Sequence, residues 1–184
     1  MSDRTDRTDH ADRTDPGPGH AAAPAGAADG LVIVSSTRAA AGDYVDRTGP
    51  VLVDWLRSRG LAVPDPVVVA DADIAETVDR VLGDRDRLPR VVLTTGGTGI
   101  TDDDRTVEAV EPHLERQLPG VVQAFFAAGL AHVPTAVLSR AVAGTVGRSF
   151  VMTLPGSRGA VADGIAVLDP VLGHILTMLE RNER

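Results

Sequence analysis

From Leu31 onward, short runs of branched apolar residues alternate with segments whose apolar side chains recur every three or four positions. Leu31-Val32-Ile33-Val34, Val67-Val68-Val69, Arg90-Val91-Val92-Leu93-Thr94 and Phe150-Val151-Met152-Thr153-Leu154 are continuous and rich in β-branched residues, the pattern of strands buried on both faces. Pro50 opens a helical pattern that places Val51, Leu52, Trp55 and Leu56 on one face and ends at Gly60. Asp73 and Glu76 have capping-box spacing for a helix carrying Ile74, Val78, Val81 and Leu82 inward. Helical patterns follow from about Arg105 to Leu118 and from Val121 to Leu130. One C-terminal helix is expected to bury Val161, Ile165, Leu168, Leu172, Ile175 and Leu179. Strands alternating with helices predict an α/β fold with a mostly parallel sheet covered on both faces. Its ligand site is expected beyond the carboxyl ends of the strands.

Residues 1–29 lack such a pattern. Asp-Arg-Thr-Asp repeats there, Pro and Gly are scattered, and apart from Met1 the apolar side chains are all Ala, which repay little ordering entropy. A disordered tail is expected over 1–29 and one domain over 30–184. The 184 residues carry 18 basic against 26 acidic side chains, a net charge of −8, and every basic residue is Arg. No basic surplus supports nucleic-acid binding, and a Walker A loop is excluded because its mechanism needs Lys. Without Cys there is no disulfide, thiolate metal site or thiol nucleophile. The opening residues match neither signal nor transit peptide, and Gln117 to Ser139, the longest uncharged stretch, is broken by Pro, Gly and His. A cytoplasmic protein outside the membrane is expected.

Four loops meet at the predicted carboxyl ends: Ser35-Ser36-Thr37, Ala70-Asp71-Ala72-Asp73, Thr95 to Asp104, and Leu154-Pro155-Gly156-Ser157. Thr95-Gly96-Gly97-Thr98-Gly99 is either a tight turn or an anion cradle of backbone N–H groups and Thr hydroxyls, and its density of Gly and Thr favours phosphate. Asp102-Asp103-Asp104 follows at once. Thr101 and Asp104 have capping-box spacing, but three carboxylates beside an anion site also suit Mg²⁺ bridging carboxylate and phosphate, with Asp71 as the second ligand. Ser157 is a helix cap that could also meet a phosphate. The five His show no metal-ligand spacing.

These segments resemble the molybdopterin-binding proteins of the MogA/MoaB type, which also occur as the G domain of gephyrin. The resemblance runs from Leu31 to about Leu179. It rests on Leu93-Thr94-Thr95-Gly96-Gly97-Thr98-Gly99 with Asp104 five residues on, on Val133-Pro134-Thr135-Ala136-Val137-Leu138-Ser139-Arg140, and on Leu154-Pro155-Gly156-Ser157. Asp46 to Pro50 and Val69-Ala70-Asp71 also fit. The resemblance implies a three-layer α/β/α domain that assembles as a homotrimer or a trimer-based hexamer. It further implies transfer of AMP from Mg²⁺–ATP to the terminal phosphate of molybdopterin, with Asp71 and Asp104 as catalytic and metal-holding residues. Thr95, Gly96, Gly97, Thr98, Gly99, Pro155, Gly156 and Ser157 would bind nucleotide and pterin. A second branch of the resemblance is a molybdopterin-binding carrier without turnover. The chain departs from the family pattern at Val107, where Pro is usual, and at Arg158 and Gly159, where Pro and often Lys follow the Leu-Pro-Gly-Ser turn.

Overall fold

Alternate side chains along each strand leave a sheet by opposite faces, and the central strands of this molecule are apolar on both. The computed structural model describes residues 28–181. The expected tail lies outside the described residues except for Ala28 and Asp29. Asp29 is stitched to the fold: its N–H donates to the Ala62 carbonyl at 2.8 Å, and the Ala62 N–H donates to its carboxylate at 3.0 Å.

The described residues form one six-stranded sheet. Its strands are β1 (Gly30–Ser35), β2 (Val67–Val69), β3 (Val91–Thr95), β4 (Arg116–Gln117), β5 (Ala143–Val146) and β6 (Ser149–Leu154), in the order β2-β1-β3-β6-β5-β4. The first four in that order are parallel; β5 runs antiparallel to β6, and β4 antiparallel to β5. The helices are α1 (Thr37–Ala40), α2 (Gly49–Ser58), α3 (Ile74–Gly83), α4 (Thr106–Val110), α5 (Pro119–Leu130), α6 (Arg158–Leu168) and α7 (Leu172–Glu180). Val32 and Val34, Val91 and Leu93, and Phe150, Met152 and Leu154 form one core with side chains of α2, α5, α6 and α7. Ile33, Val92 and Val151 face the opposite way, onto Ile74, Val78 and Leu82 of α3 and Ala109 and Val110 of α4. The fold is therefore the expected three-layer α/β/α. Burying each large apolar side chain contributes about 1.5–3 kcal/mol, so the strand alternation supplies both layers at once.

Three elements differ from the sequence expectation. The helix expected from Arg105 to Leu118 stops at Val110 and passes into a single 3₁₀ turn at Glu111–His113, because Pro112 has no N–H to continue the ladder. The released chain forms β4 on the sheet edge, paired with β5. The single C-terminal helix is two helices, α6 and α7, bent by 59°; Pro170 stands at the break. Asp73 does precede α3, but its side chain makes no capping bond and a 3₁₀ turn over Asp71–Asp73 leads in instead. Gly60 follows α2 as expected, and Asp46 prepares its start by accepting from the N–H groups of Thr48 at 2.8 Å and Gly49 at 3.0 Å.

Candidate functional site at the carboxyl ends of the parallel strands

The four parallel strands deliver their following loops to one end of the sheet, where hydrogen bonds lock them together. Asp71 follows β2 and turns back onto the end of β1. Its carboxylate accepts from Ser35 Oγ at 2.7 Å, Thr37 Oγ1 at 2.8 Å and the Thr37 N–H at 3.1 Å, while its own N–H donates to Thr37 Oγ1 at 3.2 Å. The glycine loop after β3 is tied to the loop after β6: the Gly96 N–H donates to the Leu154 carbonyl at 2.9 Å and Thr95 Oγ1 to the Pro155 carbonyl at 3.0 Å.

Gly96 and Gly97 both lie in the left-handed region, at φ +97° and +65°. A Cβ on Gly96 would fall 2.1 Å from the Ser35 carbonyl oxygen, and one on Gly97 would fall 2.3 Å from Thr106 Oγ1. Both positions therefore require Gly on conformational and steric grounds. Gly96 is committed to its neighbour strand, whereas the N–H groups of Gly97 and Thr98 donate to no acceptor among the described residues. These two remain available to an anion. Thr98 Oγ1 lies 3.1 Å from Ser139 Oγ, which closes the loop against the segment before β5.

Asp104 closes the far end of this loop. Its carboxylate accepts from the Thr101 N–H at 2.9 Å and Thr101 Oγ1 at 2.6 Å. The spacing read as a capping box is instead a closed turn, since α4 begins only at Thr106. Burial pushes the Asp104 carboxyl upward, but the bonds from Thr101 and Gly99 and the charge of Arg140 outweigh it and hold the group below its ordinary value. The carboxylate is thus ionised wherever the protein is handled near neutrality.

Arg140 binds the loop from behind. Its Nε donates to the Gly99 carbonyl at 2.6 Å, its Nη2 to the Asp104 carbonyl at 2.7 Å, and its Nη1 to Glu108. The hydrogen bond from Arg140 draws the Glu108 carboxyl below its ordinary value, and Glu108 in turn raises Arg140. A planar guanidinium can serve three acceptors in this fork and an ammonium cannot. Arg140 reaches a glycine loop 41 residues earlier in the chain, a contact that nothing in its local sequence signals. The roles of Ser35, Thr37 and Ser139 were likewise hidden, because their partners come from other strands.

A cavity of about 660 Å³ opens between this loop, α5, α6 and the 3₁₀ turn at Pro134–Leu138. Gly97, Thr98, Gly99, Asp104, Pro155, Gly156 and Ser157 all line it. Its far wall carries Asp163, with His132 Nε2 at 3.8 Å. A groove of about 610 Å³ runs along the other side of Asp104, past Asp102, Glu108 and Arg140. Ser157 caps α6, accepting from the Ala160 N–H at 3.2 Å. The structure thus gathers seven of the ten expected site residues on the wall of one cavity, namely Asp104, Gly97 to Gly99 and Pro155 to Ser157, while Thr95 is buried and bonded to the Pro155 carbonyl. Gly96 is spent on strand contacts, and Asp71 lines neither cavity. Among the described residues no group of three or more His, Asp or Glu could hold a metal ion by itself. Of the two expected metal-holding carboxylates only Asp104, ionised on the cavity wall, is of the kind that holds Mg²⁺ together with phosphate oxygens.

The fold and site define a three-layer α/β protein whose ligand cavity opens beside a glycine loop at the strand ends. The family described as "Probable molybdopterin binding domain" matches residues 31–174, and the chain belongs to that family. The molybdenum cofactor biosynthesis bifunctional protein of Chlorobaculum tepidum is 35% identical over 151 residues, which cover 81% of this chain and 47% of that one. The present chain therefore spans about half the length of that relative. Molybdenum cofactor biosynthesis protein B of Bacillus cereus is 36% identical over 154 residues, covering 82% of this chain and 89% of that one. Among solved structures, the molybdopterin biosynthesis Mog protein from Mycobacterium ulcerans superposes with a TM-score of 0.76 at 39% identity, over 83% of this chain and 99% of that one. No single helix among the described residues is long and apolar enough to cross a membrane.

Proposed function

We propose that the protein acts in molybdenum cofactor biosynthesis as a molybdopterin adenylyltransferase, transferring AMP from ATP to the terminal phosphate of molybdopterin and releasing pyrophosphate. The observation that carries this reading is an ionised Asp104 set beside the free N–H groups of Gly97 and Thr98, on the wall of one cavity large enough for a pterin. The family and the names of its relatives support the substrate. In the reaction a terminal phosphate oxygen of molybdopterin forms a bond to the α-phosphorus of ATP, and the bond from that phosphorus to the β-phosphate bridging oxygen breaks. The nucleophile is already anionic, so positioning and charge neutralisation outweigh proton transfer. Gly97 and Thr98 would bind phosphate oxygens through their N–H groups, while Arg140 holds the loop in place through Gly99 and Asp104. Asp104 is the carboxylate on the cavity wall that would hold Mg²⁺, with Asp71 as the second carboxylate that the family resemblance implies; when bound, the cation supplies positive charge to the phosphates. Incubation with molybdopterin and Mg²⁺–ATP should yield adenylyl-molybdopterin, and Asp104→Ala should lower that yield by about 10²-fold or more. No product from the wild type, or an undiminished yield from the variant, overturns the assignment.

A second reading, a molybdopterin carrier without turnover, draws on Asp71, whose carboxylate is spent on Ser35 and Thr37 and faces neither cavity. It expects saturable molybdopterin binding with no pyrophosphate release. We further propose that the protein is a cytoplasmic homotrimer or trimer-based hexamer. Leu130 and Val137, exposed on and after α5, supply apolar surface suited to contact between subunits, next to Val133 and Leu138 on the cavity wall.

A further inference from the structure

A smaller pocket of about 230 Å³ opens between the ends of β1 and β6 and shares Gly156 and Ser157 with the large cavity. Two arginines, Arg47 and Arg158, line it. Among the described residues neither side chain makes a hydrogen bond or ion pair, as also holds for Arg80, Arg87 and Arg116, but of these only Arg47 and Arg158 share this pocket. Cations that line one pocket without carboxylate partners make it attractive to an anion. Arg158 stands where the family pattern has Pro, so this charge is a feature of the present chain.

The pocket's Ser and Thr hydroxyls divide into two kinds. Ser35 Oγ donates to Asp71, Thr48 Oγ1 to Asp46 and Thr95 Oγ1 to the Pro155 carbonyl, so their protons are committed. Ser36 Oγ and Ser157 Oγ instead accept from the N–H groups of Ala39 and Ala160, at 3.3 and 3.2 Å. Each therefore keeps its own proton for a further acceptor. Asp46 is the one carboxylate on the wall, and it already accepts from both Thr48 and Gly49 at the start of α2. The side-chain donors left over are two guanidinium groups and the hydroxyls of Tyr44, Ser36 and Ser157, a set matched to phosphate oxygens.

We propose that this pocket is an anion subsite that holds a phosphate terminus through Arg47, Arg158 and the Ser36 and Ser157 hydroxyls. Assigning that terminus to the leaving pyrophosphate rests on the adenylyl-transfer reading; binding of the anion itself does not. Isothermal titration of the full chain with inorganic pyrophosphate, in EDTA so that no divalent cation bridges to the acids, should show saturable binding. Arg47→Gln and Arg158→Gln should each weaken it by about tenfold or more, with unchanged melting temperatures because both side chains are exposed. If either variant fails to fold, the corresponding Lys variants carry the test, with weakened binding again expected. Absence of saturable binding in the wild type, or an unchanged affinity in the variants, overturns the proposal. Competition then separates the sources: AMP that displaces pyrophosphate at equal concentration marks a monophosphate site, and AMP that does not marks a site for the leaving group. Neither titration involves molybdopterin or turnover, so failure of the transferase assay leaves this result intact.

Discussion

Glu108 and Arg140 show how one long-range contact sets the behaviour of a loop. The guanidinium draws the Glu108 carboxyl below its ordinary value of about 4.3. A carboxyl lowered in the folded state binds its proton more tightly when unfolded, so its contribution to stability is present above the ordinary value and is lost as pH falls through the lowered one. Thermal midpoints measured across that acid range should fall less steeply for Glu108→Gln than for the wild type. The difference is partial, because Asp104 is lowered in the same direction, and identical acid limbs would remove Glu108 from the account. Gly96 and Gly97 belong to the same scale: their density in the sequence signalled a special turn, but only the carbonyl of Ser35 and the hydroxyl of Thr106 show why no Cβ is admitted.

At the level of elements, the break between α6 and α7 is secured by Asp169. The Trp55 indole N–H of α2 donates to its carboxylate at 2.7 Å, and Arg59 pairs with the same oxygen at 2.6 Å. Trp55 is buried, so Asp169→Ala leaves an indole N–H without its acceptor, at a cost of about 1–3 kcal/mol. Urea unfolding should show the lower midpoint with an unchanged slope. Unaltered stability would mean that water replaces the carboxylate. The parallel strands were legible because each is a continuous branched run. The antiparallel edge was not: Ala143-Gly144-Thr145-Val146 and Arg116-Gln117 contain little apolar pattern, and they become strands by pairing with what is already formed. Pro112 and Pro170 are the stop signals that make the two helices shorter than the apolar periodicity alone predicts.

At the scale of the whole molecule, the exposed apolar side chains bear on assembly. Val137 and Leu138 are exposed to 58% and 49% in the single chain, and neighbouring exposed apolar side chains on a monomer commonly mark an interaction surface. Light scattering coupled to size-exclusion chromatography should give three times the chain mass, or six times, and Val137→Glu should shift the distribution towards the monomer. A monomeric wild type removes the subunit interface from the proposal.

The sequence by itself determined the layers, the loops that face the ligand and the family, because these follow from the periodicity of apolar residues and from local turn chemistry. The expected convergence of four loops holds for the same reason: parallel strands with helical crossovers end on one side. Only the tertiary structure decided how donors are shared there. It spends Gly96, Thr95 and Asp71 on holding loops together, leaves the N–H groups of Gly97 and Thr98 without acceptors among the described residues, brings Arg140 behind Asp104, and lines one pocket with Arg47 and Arg158. Those outcomes depend on which groups from distant segments meet within hydrogen-bonding distance, and spacing along a chain does not encode that before the sheet assembles.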